Sequence, residues 1–101
     1  MADFYTASIE RLFQAIVSLE NVEEAYNFFS DVCTIKEVQD MAQRLDTAFM
    51  LDSGANYQSI SKQVKISTAT ISRVSRCLNY GSGGYRLIID RMRETETRNE
   101  A

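Results

Sequence analysis

Histidine and proline are absent from the sequence, glycine occurs four times, and the two cysteines, Cys33 and Cys77, lie far apart. There are also no paired carboxylates at an interpretable spacing, no cluster of metal ligands and no nucleophile motif. An enzyme is therefore not expected, and neither a metal nor a cofactor is implied. No apolar run approaches the roughly 18 to 20 residues needed to cross a bilayer, and the N-terminus lacks a basic region followed by an apolar stretch. A cytoplasmic protein with no membrane partner is expected, its cysteines free and buried. With no alternating run of β-branched residues and no turn chemistry suited to hairpins, the fold class reads as all-α.

What the sequence does contain is concentrated in residues 57–79, which read as two short helices meeting across a tight turn. Ile60 and Val64 share one helical face, Ile71 and Val74 share another, and Ile66 sits between them as a plug. Ser67 can stop the first helix and cap the second. Lys65 stands where such a corner needs a left-handed backbone, at a cost of roughly 1 kcal/mol for a residue other than glycine. On the second helix the outward residues are Thr68, Ala69, Ser72, Arg73 and Arg76, all small or hydrogen-bonding. A helix lying in a major groove needs short side chains at close approach and a few donors for base edges and phosphates.

Charge supports the same reading once it is divided along the chain. The net charge is −3, yet residues 1–56 carry −7 and residues 57–93 carry +6, from Lys62, Lys65, Arg73, Arg76, Arg86, Arg91 and Arg93 against Asp90 alone. A basic block confined to the motif is the footprint of phosphate contacts, whatever the total. Lys62, Lys65, Arg76 and Arg86 are the expected phosphate ligands.

Around the motif, residues 3–20 have the spacing of an amphipathic helix. Asn21 with Glu24 and Thr34 with Glu37 are capping-box pairs opening helices over about 22–32 and 35–52. Gly54 reads as a left-handed cap and Asn56 as the N-cap of the motif. Gly81-Ser82-Gly83-Gly84 reads as a helix stop rather than a phosphate loop, since it lacks the lysine and hydroxyl of one. A last apolar helix follows from Tyr85. Residues 1–93 thus form one expected domain, and the polar stretch 94–101 an expected disordered tail. The early helices carry more large hydrophobes than one short bundle can hide, which predicts burial against a second copy.

The order of elements, and the run Thr68-Ala69-Thr70-Ile71-Ser72-Arg73 most of all, resembles the tryptophan repressor superfamily and its YerC/YecD branch, over roughly residues 30–92. The resemblance implies a six-helix fold with a helix-turn-helix, built as an intertwined homodimer. It also implies that Thr68, Ala69 and Ser72 lie at the major groove and that Gln58, on the first motif helix, reaches the DNA. The family's tryptophan pocket maps onto Thr34, Arg44 and Arg73. However, Val74 replaces a glycine that leaves room for the indole ring, and Cys77 replaces a hydroxyl that holds the amino group. An isopropyl group in that space excludes a planar ring, so tryptophan is not the expected effector.

The expected function is that of a dimeric, sequence-specific transcriptional regulator that binds double-stranded DNA. The competing expectation is a helical dimeric protein-interaction module whose basic face meets an acidic partner.

Overall fold

The computed structural model describes residues 4–100. Its six helices are α1 (Ala7–Val17), α2 (Val22–Val32), α3 (Ile35–Asp52), α4 (Tyr57–Val64), α5 (Thr68–Tyr80) and α6 (Gly84–Glu100), with no strand among the described residues. Where the sequence reads as one domain, the helices group into two compact units, Met1–Val38 and Gln39–Ala101, the boundary falling within α3.

In the first unit local hydrogen bonds set the helix ends. The Thr6 hydroxyl accepts from the amide of Ile9 at 3.2 Å, and the Ser18 hydroxyl donates to the Ala15 carbonyl at 2.6 Å. These two residues confine α1 to a shorter span than the apolar spacing over 3–20 predicts. Asn21 caps α2 through the Glu24 amide at 2.8 Å, and Glu24 accepts from the Glu20 amide. Thr34 and Glu37 form the reciprocal pair expected of a capping box, at 2.8 and 3.1 Å. Neither α1 nor α2 buries a residue fully. Tyr5 packs on Phe13 and Phe28 on Phe29, yet Val17, Val22 and Tyr26 remain 80%, 85% and 72% exposed.

The second unit has a core of Ala48 from α3, Val74 from α5 and Ile89 from α6, with Phe49, Leu51, Leu78 and Tyr85 packed around it. Three helices meet there, so α5 is anchored on α3 and α6. Buried Thr47 satisfies its hydroxyl by donating to the Gln43 carbonyl at 2.8 Å. Gly54 has the left-handed backbone expected of it. A side chain at Gly81 would bring its Cβ to 2.4 Å from the Cys77 carbonyl oxygen, so the close of α5 admits only glycine without a shift.

Two expectations are corrected. Residues 94–100 are not disordered but continue α6, where Arg98 pairs with Glu94 at 3.0 Å and the Thr95 and Thr97 hydroxyls donate to carbonyls one turn back. Local pairs one turn apart thus extend a helix that has no apolar period; residue 101 lies outside the described residues. The cysteines are free, but Cys33 is half-buried and Cys77 exposed rather than both buried, because Cys77 lies off the face that Val74 turns to the core.

Candidate nucleic-acid interface

The corner between α4 and α5 follows from four local interactions. Asn56 accepts from the Ser59 amide at 2.8 Å and opens α4. Lys65 closes it in the left-handed region, φ 60° and ψ 46°, its amide donating to the Ser61 carbonyl at 3.0 Å. The Ser61 hydroxyl then reaches over the turn to the Ile66 carbonyl at 2.9 Å. Ser67 opens α5 by accepting from the Thr70 amide at 3.2 Å. These bonds hold the two helices at a fixed bend, with Ile60 and Ile71 both fully buried.

That burial orients the rest of α5. With Ile71 and Val74 turned inward, Thr68, Ala69, Ser72, Arg73 and Arg76 are all exposed. Gln58 and Lys62 are exposed on α4, and with Asn56, Ser59, Ser61 and Thr68 they line a groove of about 560 Å³. Among the described residues, none of Lys62, Lys65, Arg73 and Arg76 is paired with a carboxylate. An exposed cation with no internal partner keeps its charge for an external anion.

Arg86, expected as a phosphate ligand, has carboxylate partners within the chain. Its guanidinium donates to Asp52 at 2.6 Å and to Asp90 at 3.3 Å, so it is held by carboxylates of the chain rather than offered to phosphate. The hydrogen bond to Asp52, then that to Asp90, raises its pKa further. Arg93 is committed as well, donating to Asp52, to the Ser53 hydroxyl at 2.9 Å and to the Phe49 carbonyl at 3.4 Å. Nothing in the charge count distinguishes these two arginines from the free ones. The signal was Asp52 itself: an acid at a helix C-terminus is misplaced against the dipole and calls for a nearby cation.

The residues matched to a ligand pocket are variously placed. Val74 is 1% exposed and is part of the core itself. Arg44 is half-buried, whereas Arg73 and Cys77 are exposed. Thr34, in the other compact unit, has its hydroxyl engaged in capping α3. Tyr85, at the start of the last apolar helix, packs on the Val74 cluster. Burial raises its phenol pKa, the charge of Arg44 opposes that shift, and Cys77 adds to it.

A model described as Trp repressor protein matches residues 7–93. The chain belongs to the Trp repressor family. It is 53% identical over 89 residues to the uncharacterised protein YerC of Bacillus subtilis (strain 168), covering 88% of this chain and 86% of that one. A TrpR-like protein from Eubacterium eligens ATCC 27750 has the same fold at a TM-score of 0.84 and 49% identity, covering 86% of this chain and 90% of that structure. A candidate Trp repressor from Staphylococcus aureus matches at a TM-score of 0.84 and 47% identity, covering 88% and 89%. Among the described residues no helix is long and apolar enough to cross a membrane.

Proposed function

We propose that the chain is a sequence-specific, DNA-binding transcriptional regulator of the cytoplasm, working as a helix-turn-helix homodimer in which residues 1–93 act as one domain and tryptophan is not the effector. The observation that carries this reading is the division of α5. Its apolar side is buried against α3 and α6, while its exposed side presents Thr68, Ala69, Ser72, Arg73 and Arg76. Lys62, Lys65, Arg73 and Arg76 supply phosphate contacts that fix register, and Gln58, Thr68, Ala69 and Ser72 supply contacts that depend on sequence. Arg86 is dropped from that set because Asp52 and Asp90 already hold it. Support for a second copy comes from the first unit, which leaves large apolar side chains in water that another chain can cover.

The test is selection of bound duplexes from a random pool. The expected product is a site with two symmetric halves centred roughly 34 to 36 Å apart, one turn of the duplex. Recovery of unrelated sequences with no common half-site would remove sequence recognition from the reading. Failure to retain any duplex, with capture of an acidic polypeptide instead, would favour the protein-interaction module.

A further inference from the structure

Asp52 is the last residue of α3, and its side chain is 15% exposed between two arginines of α6. One carboxylate oxygen accepts from Arg86 at 2.6 Å and the other from Arg93. Arg93 does more than neutralise charge. It also bonds the Ser53 hydroxyl and the Phe49 carbonyl, and its guanidinium lies 5.6 Å from the centre of the Phe49 ring. The last turn of α3 has no basic residue of its own, so α6 supplies the cations its C-terminal carbonyls and its acid require.

Arg86, Ile89 and Arg93 follow one another at three- and four-residue steps and share a face of α6. Ile89 is fully buried with Val74 of α5 and Ala48 of α3. The same face therefore fixes α6 on α3 by charge at both ends and on α5 by packing in the middle. On the other side of Asp52, Ser53 begins the short connection to Asn56, which caps α4. Both helices of the reading corner are thus tied to one carboxylate, α4 through the connection and α5 through Ile89 and Val74.

We infer that Asp52, clasped by Arg86 and Arg93, is a positioning residue that sets the pose of the α4–α5 corner for sequence recognition. The inference rests on the DNA-binding reading for its consequence, though not for the clasp itself. A corner held in one pose places Thr68, Ala69 and Ser72 against particular base edges. A loosened corner still presents its cations to phosphate, which tolerates small displacements that directed hydrogen bonds do not.

The experiment compares Asp52→Asn with the wild type on the selected duplex and on a scrambled one. Asparagine keeps the size and one acceptor but removes the charge that holds two arginines. Affinity for the selected duplex should fall about tenfold, the loss of one well-made base contact. Affinity for the scrambled duplex should hold or rise, because Arg86 and Arg93 are released, and Asp52→Glu should recover part of the lost discrimination. Equal losses on both duplexes, or no loss on either, would overturn the inference. Arg86→Gln, which leaves every Arg93 bond in place, gives a second reading if Asp52→Asn does not fold. It should show the same loss of discrimination to a smaller degree, whereas a uniform loss on both duplexes with a shallower salt dependence would return Arg86 to phosphate and overturn the clasp. If the wild type binds no duplex, the DNA-binding reading fails by itself and amide exchange decides the clasp. Exchange over residues 57–80 should then quicken about tenfold in the variant with α1 and α2 unaffected, and unchanged exchange would overturn it.

Discussion

Val74 and Asp52 are the single side chains on which the proposed ligand preference and the proposed pose of the corner turn. The isopropyl group of Val74 is packed with Ala48 of α3 and Ile89 of α6, with Tyr85 alongside, and the proposal that tryptophan is not the effector rests on an aromatic ligand there having to displace core atoms. Tryptophan should leave the melting temperature of the wild type unchanged. Val74→Gly should cost about 3 kcal/mol, from lost packing and from glycine within a helix, and should create a tryptophan-dependent rise in melting temperature. A rise in the wild type would contradict the steric account. For Asp52, the hydrogen bond from Arg86 is the main cause that holds the carboxyl below its ordinary value of 3.8, with partial burial opposing and Arg93 contributing. Because folding lowers this pKa, the clasp stabilises fully above the unfolded-state value and is lost as pH falls through the folded one. Unfolding measured from pH 7 downward should therefore show an acid limb below about pH 4 that is shallower in Asp52→Asn. An identical limb in both proteins would mean that Asp52 does not report the clasp.

At the scale of elements, the corner is held by its own hydrogen bonds and strained at one residue. Lys65 occupies the left-handed region, which costs an L-residue roughly 1 to 2 kcal/mol and glycine little beyond chain entropy. Lys65→Gly should raise stability by up to about 1 kcal/mol while weakening every duplex alike, as measured by denaturant unfolding and by titration. Loss of stability would mean that the Lys65 side chain, rather than its backbone, holds the turn. Ser72 lies on the outward face of α5 and should behave differently. Ser72→Ala should cost about 1 to 3 kcal/mol on the selected duplex, relax choice at one base pair and leave the salt dependence nearly unchanged. Equal loss on selected and scrambled duplexes would mean that Ser72 reads no base.

Much of this was legible in the sequence for a physical reason. Caps, period and left-handed positions are local, so Asn21, Thr34, Asn56, Ser67, Gly54 and Lys65 could be assigned from their neighbours alone. The Asp52 clasp joins residues 34 and 41 positions apart, and no local pattern records which of seven cations in the basic block are already taken. The continuation of α6 is not legible in an apolar pattern, for the opposite reason. Its support comes from short-range polar pairs such as Arg98 with Glu94, which an apolar period does not register.

For the whole molecule, the acidic first half, the basic block after it and the exposed apolar side chains of the first unit are the grounds for the proposed partners. Light scattering at micromolar concentration should give twice the 11.5 kDa chain mass, since α1 and α2 alone leave too much apolar surface in water. A stable monomer would end the dimer account. The central claim, that the corner reads DNA through four free cations and a polar helix face, is tested most directly by titrating the wild type against the selected and scrambled duplexes over a range of salt. A dimer offers two heads with four cations each, so log affinity should fall with log salt with a slope of up to roughly −7 on both. The selected duplex should bind two chains and hold an advantage of roughly 10³-fold or more at every salt concentration. Equal affinity for the two duplexes, or binding indifferent to salt, would contradict the account.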